Sequence, residues 1–372
     1  MTDNYKVPGV YVTESNGLSL SIQTGQTAVP VFAFDFTKLN GWDPKIIKQD
    51  DVASFSSWLE VSAALLSESP PEGDGGLYQS LKLFFLNGGG HCYVAPVSKL
   101  DALVPTLDDV TLLVQAGVPL ETFKSQVSTL CVTGKTLFAV FDGPQSELKS
   151  AAEVTAEAAH YPTTPYAAVY FPWLKVTGVA ALVPPSGAVA GIYARVDRQR
   201  GVWKAPANVE LIGATPCFKV SDAIDGACNV PVSGGKSINV IRAFQGTGPL
   251  VWGARTLDSD KKTWRYVPVR RLFNAAERDI RTAMSSALFE PNSAPTWERV
   301  RGAVENYLHG LWQQGALLGD SPAQAYFVQI GGGTTMTQED INNGRMIVKV
   351  GLAAVRPAEF IVLQLTQDVA AA

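Results

Sequence analysis

Apolar residues follow two rhythms along this chain. From Ala28 to about Val240, short unbroken apolar runs alternate with stretches of helical spacing. The runs are Ala28–Phe34, Cys92–Val97, Val110–Val114, Thr136–Phe141 and Ala167–Phe171. Unbroken runs of this length suit strands covered on both faces, and they predict a layered α/β sheet. Helical spacing is read over Val52–Leu66 and Gly76–Leu86, and Asn87-Gly88-Gly89-Gly90 stops the second, with Asn or Gly available for a left-handed cap. Ser186–Tyr193, rich in Ala and Gly, predicts a tightly packed helix, whereas Arg195–Gly235 reads mostly as loop with short strands.

The rhythm changes at Gly248. A short strand around Leu250–Val251 leads through Trp264-Arg265-Tyr266 into two long amphipathic patterns. The first repeats Leu272, Phe273, Ala276, Ile280, Ala283, Met284, Ala287 and Leu288 on one face, and it is predicted to end at Glu290 because Pro291 disfavours helical dihedrals before it. The second is predicted to start with Thr296 as N-cap and to bury Val300, Val304, Tyr307, Leu308, Leu311 and Trp312. Beyond this hairpin, Ala325–Ile330 reads as a strand. Thr337 and Asp340 are spaced to cap a short helix ended by Gly344, and Arg345–Val355 returns as a strand.

The two ends carry isolated β-prone segments. Val7-Pro8-Gly9-Val10-Tyr11-Val12-Thr13-Glu14 is separated from the first apolar run by the polar tether Ser15–Ser19. It can be an edge strand of its own domain or join a neighbour's sheet. Glu359-Phe360-Ile361-Val362-Leu363-Gln364-Leu365-Thr366, with Ile361, Leu363 and Leu365 on one face, follows the Arg356-Pro357 break. Left unpaired, such a strand is an aggregation hazard, so it must pair at home or in another subunit.

A length of 372 residues predicts more than one domain, and 46% hydrophobic with 17% charged residues is a globular composition. A net charge of −4 argues against a dedicated nucleic-acid binder. The charge is uneven, because Ala254–Trp312 holds ten cations against seven anions, among them Arg270, Arg271, Arg278 and Arg281 on the first long helix. One reading is a solvated face with pairs such as Glu277 and Arg281; the other is a basic strip that docks an acidic partner.

Catalytic and metal signatures fail when tested residue by residue. Thr133-Gly134-Lys135-Thr136 ends like a phosphate-binding loop, but Thr129 stands where that loop needs its first Gly. Gly246-Thr247-Gly248 begins a dinucleotide fingerprint, but Val251 occupies the third Gly position. Cys92, Cys131, Cys217 and Cys228 form no C-x-x-C, and His91, His160 and His309 stand isolated, so neither a zinc site nor a catalytic base is expected. No cofactor is expected. The N-terminus is polar with no apolar segment behind it, and no apolar run approaches the ~20 residues that cross a bilayer. The expectation is synthesis in the cytoplasm without a signal peptide.

The stretches Val7–Val12, Val251–Thr256, Trp264–Leu272, Phe289-Glu290-Pro291-Asn292, Leu311–Leu317 and Arg356-Pro357-Ala358-Glu359-Phe360 resemble the motifs of contractile tail sheath proteins. The resemblance covers nearly the whole chain. It is nearest to the main sheath subunit of phage-tail-like extracellular contractile injection systems, whose particles are released from the cell. It implies an N-terminal arm over 1–24, an α/β sheath domain over 25–245 with a variable middle, a C-terminal α+β core over 246–356 and a C-terminal arm over 357–372. It also implies a six-start helical homopolymer around an inner tube protein, with baseplate, tail-terminator and other sheath paralogues as partners, and no nucleic acid or membrane insertion. Contraction would drive the tube through a target membrane without nucleotide. The expected inter-subunit residues are Val7, Pro8, Gly9, Val10, Tyr11, Val12, Glu359, Phe360, Ile361, Val362, Leu363 and Leu365, with Arg270, Arg271, Arg278 and Arg281 facing the tube. The alternatives are a soluble α/β enzyme with a site scattered in sequence, or a baseplate or terminator component.

Overall fold

The structure, a computed structural model, describes residues 21–67, 71, 76–230 and 236–360. In chain order the first half runs β1 (Pro30–Phe34), β2 (Ala53–Phe55), α1 (Trp58–Ala63), α2 (Leu77–Leu86), β3 (Cys92–Pro96), α3 (Leu100–Leu103), β4 (Leu112–Val114), α4 (Leu120–Leu130), β5 (Phe138–Asp142), α5 (Ala151–His160), β6 (Ala167–Phe171), β7 (Leu174–Lys175) and α6 (Ser186–Arg200). The second half continues with β8 (Val209–Glu210), β9 (Thr215–Pro216), α7 (Asp222–Asn229), β10 (Ile238–Ala243), β11 (Pro249–Val251), α8 (Val267–Met284), α9 (Ala294–Gln313), α10 (Pro322–Ala325), β12 (Tyr326–Gln329), α11 (Gln338–Asn342) and β13 (Lys349–Leu352).

The apolar runs of the first half form the parallel centre of one large sheet. Its order is β2-β3-β1-β4-β5-β6-β10-β11-β8, parallel from β3 to β10 and closed at both sides by antiparallel strands. Every residue of β1, β5 and β6 is buried, because alternate side chains enter different cores. Val31, Ala33, Ala139, Phe141 and Val169 pack on the α4, α5 and α7 side. Phe32, Phe34, Phe138, Val140 and Tyr170 pack on the α2 and α6 side.

The structure departs from several of the sequence expectations. The stretch 52–66 divides into β2 and α1, because Ser57 accepts a hydrogen bond from the Glu60 amide and starts the helix late. The Ala/Gly-rich helix runs on through Arg200, and α7 occupies part of the stretch read as loop. Helix α8 begins at Val267 with Pro268 in its first turn, where a missing amide is tolerated, and ends at Met284 rather than Glu290. There Ser285 and Ser286 donate to the Thr282 and Ala283 carbonyls, and the chain tightens into a 3₁₀ turn. Helix α9 begins at Ala294 with Pro295 in its first turn, so Ser293, not Thr296, holds the N-cap position. The strand read over 345–355 is ordered as β13 over four residues. Thr337 and Asp340 do make the expected capping box, and Gly344 takes φ +70°.

β11 is hydrogen-bonded to β10, so the expected boundary near 246 passes between two paired strands of the large sheet. Beyond it, α8 and α9 pack Leu272, Ala276, Val304, Leu308 and Leu311 together beside the β12–β13 pair.

Candidate functional site

The residues singled out in the sequence lead to the two places where the terminal segments join the body. Val7–Val12, Ile361, Val362, Leu363 and Leu365 lie outside the described residues. Glu359 and Phe360 lie within them, as does the whole path from Ser21 into β1.

The C-terminal root is gripped by a buried arginine. Arg255 is 4% exposed, and its Nε and Nη2 donate to both carboxylate oxygens of Glu359, at 3.0 and 3.2 Å from Nε and 2.6 Å from Nη2. Its Nη1 donates to the Asn229 carbonyl at 2.8 Å, and the Tyr266 hydroxyl donates to Glu359 Oε2 at 3.2 Å. The backbone of Arg255 is fixed in turn by Asn239 of β10, which accepts from its amide and donates to its carbonyl. Gly253 is required beside it, because a Cβ there would meet Asn239 Oδ1 at 2.7 Å. Arg255 and Tyr266 face each other across an antiparallel bridge, so two neighbouring stretches meet the distant Glu359 at one carboxylate. A bidentate pair of this kind fixes direction as well as position. Phe360, next along, is 70% exposed.

The N-terminal root lies on α8. The Gly25 amide donates to Asp279 Oδ1 at 3.2 Å, Arg278 Nη2 donates to the Gln26 carbonyl, and Arg271 Nη2 donates to the Thr27 carbonyl at 2.9 Å. The Thr27 hydroxyl donates to Asp197 Oδ2 at 2.6 Å. Asp197 also holds Arg271 in a buried two-pronged pair, and the Arg271 guanidinium lies 4.5 Å from the centre of the Tyr193 ring. Tyr307 of α9 donates to Asp279 Oδ2 at 2.8 Å. Burial raises the pKa of Asp279 and of Tyr307, and it lowers that of Arg278.

The four arginines expected to face a tube are therefore differently placed. Arg270 is 6% exposed, lies 4.1 Å from the Trp264 ring centre and donates to Asn274. Arg271 and Arg278 tie down residues 26 and 27. Arg281, whose side chain is 56% exposed, pairs with Glu277 and donates to the Gly134 carbonyl. Periodicity put all four on one helix but not on one surface. The residues that sequence reasoning missed are Asp197, Asp279, Tyr266 and Tyr307. Their only signal was an acid inside a basic helix, a tyrosine within the quoted Trp264–Leu272 stretch and another on the buried face of the second long helix.

Residues 259–368 match the phage tail sheath C-terminal domain. The fold is similar to the PVC sheath complex of an extracellular contractile injection system in its contracted state, with a TM-score of 0.88, 52% identity, and 99% of each chain covered. It is likewise similar to the helical sheath of the anti-feeding prophage in its contracted state, with a TM-score of 0.81, 39% identity, and coverage of 98% of this chain and 100% of that one. A putative prophage major tail sheath protein of Pseudomonas aeruginosa (strain UCBPP-PA14) is 26% identical over 146 residues, which is 39% of this chain and 38% of that protein. With near-complete coverage of sheath structures at this identity, and with motif stretches meeting at Glu359, the chain belongs to the contractile tail sheath protein family and is a contractile sheath subunit.

Proposed function

We propose that this subunit polymerises by lending its terminal segments to its neighbours' sheets. The observation that carries the reading is the β12–β13 pair, a two-stranded antiparallel sheet with no third strand among the described residues. A two-stranded sheet is marginal alone, and its outer edges offer unpaired amides and carbonyls. Val7–Glu14 and Glu359–Thr366 are β-prone segments in sequence, of the kind that can complete such an edge. Along the chain, the first is followed by the root at Gly25–Thr27, and the second begins at Glu359, which Arg255 holds. The contact is head-to-tail, so it propagates as an open helix.

In this reading the subunits form a six-start sheath around an inner tube, seated on a baseplate and closed by a terminator. Contraction rotates the bodies as rigid units while the strand joints hold. The energy resides in the extended lattice, and the subunit works by assembly rather than by catalysis. Of the four arginines, Arg281 retains an exposed side chain for the tube, while Arg270 and Arg271 are engaged within the body. Among the described residues no helix is long and apolar enough to cross a membrane. Removing residues 361–372 leaves a folded chain that forms no long sheaths in negative-stain electron microscopy. Long sheaths from the shortened chain overturn the reading.

A further inference from the structure

The roots of the two terminal segments border two neighbouring cavities, here called lobes. A lobe of about 860 Å³ lies between residues 24–28, the end of α6 and the α8–α9 pair. A second lobe, about 490 Å³, lies against Val355–Ala358. The lobes share Arg200, Trp203 and Gln314. The Trp203 ring is seated over Gly201, where φ is +91° and a Cβ would meet the ring at 2.4 Å.

The smaller lobe gathers positive charge. Arg200, Lys204 and Arg356 line it, its lining includes no Asp or Glu, and none of the three has an ion pair among the described residues. Lys204 Nζ donates to the Ala205 carbonyl at 3.2 Å, and burial, then the neighbouring Arg200 charge, lowers its pKa. The contrast with the buried arginines is direct: Arg255 holds Glu359 and Arg271 holds Asp197. Cations brought together without an anion repel one another, and a carboxylate placed among them relieves that repulsion through charge-assisted hydrogen bonds.

We propose that the Arg200–Lys204–Arg356 lobe is a seat for a carboxylate side chain supplied by a second copy of this chain. The second copy follows from position and charge. The lobe flanks the root of the C-terminal segment, so any neighbour receiving that segment is brought to it. The chain carries 34 acidic against 30 basic residues, and with ten of the cations and seven of the anions in Ala254–Trp312, carboxylates outnumber cations over the remainder, so a neighbour has acidic side chains to offer. The inference rests on the polymer reading above.

Sheaths assembled from equal amounts of ¹⁵N-labelled and unlabelled chain are treated with a water-soluble carbodiimide and analysed by mass spectrometry. The reagent activates a carboxyl group, Lys204 Nζ attacks it, an amide forms, and the carboxyl oxygen leaves with the reagent as a urea. The expected product joins Lys204 to an Asp or Glu in peptides of mixed isotope content. Lys204→Arg assembles normally and loses that product. Lys204→Glu with Arg356→Glu keeps the melting temperature of the unassembled chain but lowers sheath yield roughly tenfold, as like charges then meet across the joint. Normal sheaths in which Lys204 is uncoupled, is coupled only within one isotopic form, or is coupled to the inner tube protein overturn the seat and leave the polymer reading intact. Failure of the wild-type chain to form sheaths overturns both.

Discussion

At the scale of single residues, Arg255 and Asp142 show what burial demands of a charge. Arg255 is desolvated and offset by four hydrogen bonds, three to Glu359 and one to the Asn229 carbonyl. Arg255→Ala leaves that carboxylate half-buried and unpaired, and is expected to destabilise the isolated chain by about 3 kcal/mol in urea denaturation, with Glu359→Gln costing about 1 kcal/mol. Asp142 is in no ion pair among the described residues. Its carboxylate accepts from the Ser186 amide at the start of α6 and from the Gly117 amide, yet burial outweighs these bonds and pushes its pKa up to about 6 from 3.8. A carboxyl group with a raised folded-state pKa stabilises the fold below the unfolded value and loses that contribution as pH rises through the folded one. Wild-type stability should therefore fall by about 2 kcal/mol between pH 4 and pH 7 relative to Asp142→Asn, read from urea denaturation across that range.

At the scale of elements, the close approach of α2 and α6 depends on two glycines one helical turn apart. A Cβ at Gly187 would lie 2.6 Å from the Ser80 carbonyl oxygen, and one at Gly191 would lie 2.4 Å from that of Phe84. Both obstacles are backbone, which cannot rotate away. Gly191→Ala should destabilise the chain by about 3 kcal/mol despite its higher helix propensity, as measured by thermal or urea unfolding. The Ala/Gly richness of Ser186–Tyr193 made this packing legible in advance. The end of α8 was not legible in the same way, because apolar spacing continues to Leu288 while two serines turn the backbone at Ser285. Phe289 beyond it is fully exposed with φ +67°, a conformation that a bulky side chain seldom adopts.

At the scale of the whole molecule, the body is a large buried sheet joined to a helical pair, with both termini rooted near α8. Assembly that binds only the folded chain raises its apparent stability by mass action. Assembled sheath should melt above a chain limited to residues 21–360, and that shortened chain should melt at a temperature independent of concentration. Calorimetry over a range of concentrations checks both outcomes.

The layered sheet is legible from residue order alone, since unbroken apolar runs have few other uses, and so are the helical hairpin and the capping box at Thr337, since these depend on neighbours within a few residues. The motif stretches pointed to the family before any contact was known. The use of each charge is set by contacts made in three dimensions. Arg271 meets Asp197 and Arg255 meets Glu359 across 74 and 104 residues, and no local pattern encodes such a distance. A helix face read as a basic strip thus became, in part, the clamp on the root of the N-terminal segment, because burial and partner, which only the fold sets, decide whether an arginine serves the interior or the surface.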